Sequence, residues 1–166
     1  MKRIGLLALL RLMWHAHRPS AIADMPAVKN ASWLRHGYQA MTFFGVIVTA
    51  SQADAERMNA GMTALKRHEL IHLRQAQTTG NSWLRFYFLY LCYYLRALPM
   101  NRHLRQAAYL LNPFEMEAYR HMYEADYLNQ PATEWRQWAA MSPRQRLKAY
   151  QATGQAGSNN KKTDNQ

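Results

Sequence analysis

At 166 residues the chain has room for one core-bearing domain and excludes two. Hydrophobic residues make up 49% of it, which excludes wholesale disorder, and a net charge of +11 favours anionic partners without specifying one. The single cysteine, Cys92, excludes an internal disulfide and any cysteine-cluster zinc site; set in an apolar run, it reads as a buried small side chain.

Lys2 and Arg3 precede the apolar run 4–10, and Ala21-Ile22-Ala23 has the form of a small-residue cleavage site. This signal-peptide-like pattern is interrupted by Arg11, His15, His17 and Arg18. Residues 4–14 read as a short helix and 17–32 as a Pro/Ala/Ser-containing linker. The run 42–49, TFFGVIVT, is the one strand region, either a single strand or a hairpin turning at Gly45.

Helical periodicity then covers 55–79, with Gly80 placed as the residue after the helix end. A second helix covers 82–98, aromatic on most sides and stopped by Pro99. Its uncharged run 86–95, like the N-terminal one, is shorter than the roughly 20 apolar residues that span a bilayer. Both read as core helices, with peripheral membrane contact as the alternative. After a connector over 101–111, Asn112 suits an N-cap and Pro113 the first position of a helix reaching about residue 129. A short helix over 133–141 follows, then Ser142-Pro143-Arg144-Gln145 caps a last one to about residue 150.

The polar tail from 153 reads as unstructured. The expectation is an α+β fold, mainly α, with an N-terminal apolar helix and linker at 1–36, the domain at 37–152 and the tail at 153–166. Arginines 67, 74, 85, 96, 102, 105, 120 and 136 are scattered, and no specific nucleic-acid partner is expected.

The most specific signal is His68-Glu69-Leu70-Ile71-His72, of the form H-E-x-x-H. Histidines four apart on a helix share one side, so both imidazoles can reach one Zn²⁺ while Glu69 faces the water the ion activates. The bland alternative is an ordinary helix with Glu69 in a surface salt bridge to a neighbour such as Arg67. A catalytic zinc needs a third ligand. No histidine occurs in 73–84, where metzincins carry one, and His103 and His121 fall in a connector and mid-helix. Glu115 and Glu117 are the better candidates. Each has a structural alternative: Glu115 in a capping box with Asn112, Glu117 as a first-turn acid. Spacing leaves that choice open. A carboxylate-bridged di-iron site is disfavoured, because the second E-x-x-H is missing.

His68-Glu69-x-x-His72-x-x-Gln75, followed some forty residues on by Phe114-Glu115-Met116-Glu117-Ala118-Tyr119, resembles a group of small bacterial HExxH proteins. More distantly it is similar to the gluzincins, such as thermolysin and the membrane CAAX proteases. The resemblance covers roughly 42–129 and implies a zincin-like domain that hydrolyses peptide bonds with one Zn²⁺. It implies His68, His72 and Glu115 as ligands, with Glu117 the alternative third, and Glu69 as general base. In the family's E-x-x-x-D pattern Tyr119 stands where the Asp would be, so any support it gives a ligand histidine takes another form.

Tyr119, His121 and Tyr123 are the available donors to a developing oxyanion or to the ligands. The strand region could pair with an extended peptide substrate, as a gluzincin edge strand does. The partner expected is a peptide or protein substrate, with peripheral contact with an anionic membrane as the alternative, and the location cytoplasmic or peripherally membrane-associated, with export left open by the N-terminal pattern. The rival reading is a non-catalytic zinc-binding or membrane-surface basic protein.

Overall fold

The computed structural model describes residue 19, residues 28–31, residue 34 and residues 39–153. The helix expected over 4–14 and the tail from 154 lie outside the described residues. What is described is α+β and mainly helical.

The strand region is a hairpin. Phe44 and Gly45 both take positive φ, 46° and 82°, the signature of a type I′ turn between β2 (Ala40–Phe43) and β3 (Val46–Thr49). A third strand, β1 (Val28–Asn30), runs parallel to β3 and gives the order β1-β3-β2. It falls inside the stretch read as linker. Its free edge is held by Asn59, whose amide accepts from the Val28 N–H at 3.0 Å and donates to the Val28 carbonyl at 2.9 Å.

The helix expected over 55–79 is two helices, α1 (Gln52–Ala60) and α2 (Ala64–Thr78). Gly61 is extended, and the Thr63 hydroxyl accepts from the Lys66 N–H at 3.0 Å, starting α2. A helix interior would cost Gly61 about 1 kcal/mol relative to Ala, and Thr63 would forgo its cap. At the other end Gly80 has φ 84°, as its place after the helix requires.

Helix α3 (Trp83–Ala97) passes into a 3₁₀ turn at Leu98–Arg102, then α4 (Ala107–Leu110) and α5 (Pro113–His121). α5 stops well short of residue 129, which belongs to a separate 3₁₀ turn, Ala125–Asn129. Last come α6 (Trp135–Ala140) and α7 (Pro143–Ala152), the latter opened by a complete Ser142–Gln145 capping box. None of the described helices is long and apolar enough to cross a membrane.

The chain divides into two compact units. One comprises the described residues up to Tyr87 together with Ala118–Thr133. In it the buried Val28, Ile47 and Val48 of the sheet belong to the core, and Ile71 of α2 packs with Ala118, Tyr127 and Ala132. The other comprises Phe88–Glu117 and the described residues from Glu134 on. Its centre is Phe114, fully buried, with Trp135 at 4.8 Å and Tyr90 and Tyr93 also against it. The buried Arg146 of α7 donates to the Leu111 carbonyl there at 2.6 Å, and burial lowers its pKa to about 10.

Candidate metal centre

Residues 68–76 of α2 are buried apart from Arg74, which makes the H-E-x-x-H segment interior. The charged residues around it are accommodated singly: Lys66 donates to the Met58 carbonyl at 2.8 Å and Arg67 to the Met122 carbonyl at 2.7 Å. The surface salt bridge between Glu69 and Arg67 does not form. Glu69 is 3% exposed, and no cationic side chain pairs with it among the described residues.

The two imidazoles meet nearly at right angles, with their Nε2 atoms 3.2 Å apart. Gln75, one turn on and fully buried, puts its Oε1 2.8 Å from His72 Nδ1. An amide oxygen only accepts, so Nδ1 carries the proton and His72 keeps its lone pair at Nε2. That is the tautomer a metal-binding histidine needs, fixed by a neighbour in the usual way.

Helix α5 carries Glu115 and, one turn on, Tyr119. The Tyr119 ring packs edge-on against His68, with centroids 4.6 Å apart. Thus Tyr119, placed where the gluzincin pattern has Asp, touches a histidine through its ring. Glu115 is 3% exposed, and its Oε1 accepts from the Tyr90 hydroxyl at 2.8 Å. The Asn112 N–H that a capping box would give Glu115 goes to the Tyr109 carbonyl instead, at 3.0 Å.

One atom each from His68, His72 and Glu115 lies within 4.8 Å of the others, and all three residues are buried. This is the one such group among the described residues. Two nitrogens on a tetrahedral Zn²⁺, each at about 2.0–2.1 Å, stand about 3.3 Å apart. The 3.2 Å between the Nε2 atoms matches that spacing, and the donor set, two imidazoles and a carboxylate, is one zinc favours. By donor chemistry the residues present fit the ion, and its binding would draw the 4.8 Å span of the group in toward that spacing.

The other named residues go elsewhere. Glu117 is fully buried and accepts from the Glu134 N–H at 2.7 Å, a structural contact at the start of α6. His121 faces Glu124 at 2.8 Å and stacks on Tyr127 with centroids 3.8 Å apart. Tyr123 is 76% exposed.

Glu69 is positioned from the sheet. The Thr42 hydroxyl, on edge strand β2, lies 2.8 Å from both the Glu69 backbone carbonyl and its carboxylate Oε2. Thr42 is itself held: Tyr87 donates its hydroxyl to the Thr42 carbonyl at 3.1 Å and accepts from the Phe44 N–H at 3.0 Å. Burial raises the pKa of Tyr87 above the usual phenol range. Beside a two-residue turn the flanking pair is the hydrogen-bonded one, so Thr42, opposite Ile47, directs its own backbone groups away from β3. The outward carbonyl at Thr42 is therefore taken by Tyr87, and a peptide pairing with this edge would have to displace it.

Tyr90, Thr42 and Tyr87 have no signature in the sequence; each matters through a contact 25 to 45 residues away. Gln75 had one, since it shares a stripe with His68 and His72. No protein-family model, no curated protein and no solved structure matches the chain.

Proposed function

We propose that the chain is a zinc-dependent peptidase of minimal gluzincin type, its small sheet, H-E-x-x-H helix and following glutamate helix forming a reduced zincin-like domain. One observation carries the reading: two histidines and a glutamate from two helices form a buried group of the donor types Zn²⁺ favours, beside a buried glutamate with no cationic partner among the described residues. A buried carboxylate held by a neutral hydroxyl contributes little to stability, because its desolvation costs several kcal/mol, on the order seen for single buried ions. Its presence next to a metal-ligand set points to chemistry instead.

In this reading His68, His72 and Glu115 hold the ion. When bound, Zn²⁺ supplies the Lewis acidity that makes water nucleophilic near neutral pH and polarises a scissile carbonyl. Glu69 takes a proton from the attacking water at its carboxylate and returns it to the leaving amine. Thr42 orients that carboxylate from β2. Gln75 keeps the His72 proton on Nδ1, and Tyr90 orients Glu115. Tyr119 packs on His68 and restricts its ring.

The test is Glu69→Gln, assayed on a peptide library alongside metal content. The variant should keep its zinc and lose hydrolysis by about 10²–10⁴-fold, the range for loss of a general base. Wild-type turnover in Glu69→Gln would rule out the role.

A further inference from the structure

Helix α3 carries a second feature, on the side away from its buried aromatics. Leu84, Phe88, Leu91 and Leu95 are 77%, 66%, 53% and 53% exposed. Their spacing of four, three and four puts them in one stripe along the helix, about 16 Å long at 1.5 Å per residue. The stripe exposes on the order of several hundred Å² of apolar surface, the size at which such a patch on a soluble domain marks an interaction site. Arg85 and Arg96, both exposed, stand eleven residues apart and so share a side of the same helix, about 100° round from the stripe.

Charge identifies what covers it. Residues 70–114 contain no Asp or Glu and five arginines, of which Arg85, Arg96, Arg102 and Arg105 are exposed. A second copy seated on the stripe would face the patch with itself and bring no carboxylate from 70–114 to meet the arginines. An anionic bilayer meets the arginines with opposite charge and the leucines with hydrocarbon. At 15 residues α3 is too short to span, so it would lie in the plane of the interface.

We infer that the outer side of α3 docks this protein on anionic lipid, with Leu84, Phe88, Leu91 and Leu95 inserted among the acyl chains and Arg85 and Arg96 at the headgroups. This inference is independent of the metal centre.

The full chain is floated with phosphatidylcholine vesicles, with and without phosphatidylglycerol, beside Phe88→Gln/Leu95→Gln and Arg85→Gln/Arg96→Gln. All four positions are exposed, so the variants should fold, which circular dichroism checks. Wild type should float with the anionic vesicles and bind the neutral ones at least about tenfold more weakly. The apolar variant should lose at least about tenfold in affinity for the anionic vesicles, and the arginine variant most of its salt sensitivity.

Cys92, exposed on α3 and the only cysteine in the chain, takes a polarity-sensitive fluorophore whose emission should shift to the blue on anionic vesicles. Equal flotation of Phe88→Gln/Leu95→Gln and wild type, or no shift at Cys92, would overturn the inference. So would a wild type that stays in buffer as a dimer and that Phe88→Gln/Leu95→Gln converts to a monomer.

Discussion

Tyr90 donates its hydroxyl to Glu115 Oε1 at 2.8 Å, and the Tyr90 carbonyl accepts from the Asn112 side-chain amide at 3.0 Å. One residue of α3 thus fixes both the start of α5 and the carboxylate that α5 carries. Tyr90→Phe removes the first bond and keeps the second. Zinc affinity should fall about 10–100-fold with the fold intact, the usual cost of deleting a group that orients a ligand. Competition with a chromophoric chelator measures it, and an unchanged affinity would detach Tyr90 from the site.

Thr42 is the corresponding support for Glu69. Thr42→Val keeps the shape and deletes the hydroxyl shared by the Glu69 carbonyl and carboxylate. Peptide turnover should drop about tenfold in kcat with zinc content and KM unchanged, as expected when a general base is held less well. Thr42→Ser should restore it. A Val variant as active as wild type would show that Glu69 needs no support from β2.

Tyr87 links the hairpin to pH. Burial raises its pKa above the ordinary 10.0, so the folded chain holds the phenol proton to higher pH than the unfolded chain does. The stability this contributes is complete below pH 10 and is lost as pH climbs from there toward the folded pKa. Tyr87→Phe should be less stable at pH 8 by about 1–2 kcal/mol, for the bonds to Thr42 and Phe44. That deficit should shrink above pH 10. Urea midpoints across the range decide it, and a deficit independent of pH would contradict the account.

The parts of the fold legible in the sequence are those written in local pattern. The i, i+4 histidines, Gly80 after α2, Asn112-Pro113 at the start of α5 and the Ser142–Gln145 box each depend on residues within a turn of one another, and each lies where its spacing puts it. Strand β1 was illegible because three residues show no periodicity and their partner β3 lies 19 residues on. Helix α3 was misread in part. Trp83 and Phe86 are buried as aromatic core residues should be, but Phe88 and Cys92 fall on the outer side and are exposed, so Cys92 is no buried hydrophobe. Composition cannot say which side of an apolar helix finds a partner. The same limit applied to Glu115 and Glu117. Two residues apart, they point to different sides of α5, and only packing sends one toward the histidines and the other to the Glu134 N–H.

Zinc content bears most directly on the central claim. The purified chain, His72→Ala, Glu115→Ala and Glu117→Ala are each equilibrated with Zn²⁺, desalted and measured by elemental analysis. Wild type and Glu117→Ala should hold about one ion per chain, and His72→Ala and Glu115→Ala should lose it, as a set of three protein ligands requires. A wild-type chain that neither carries zinc nor takes it up would contradict the account.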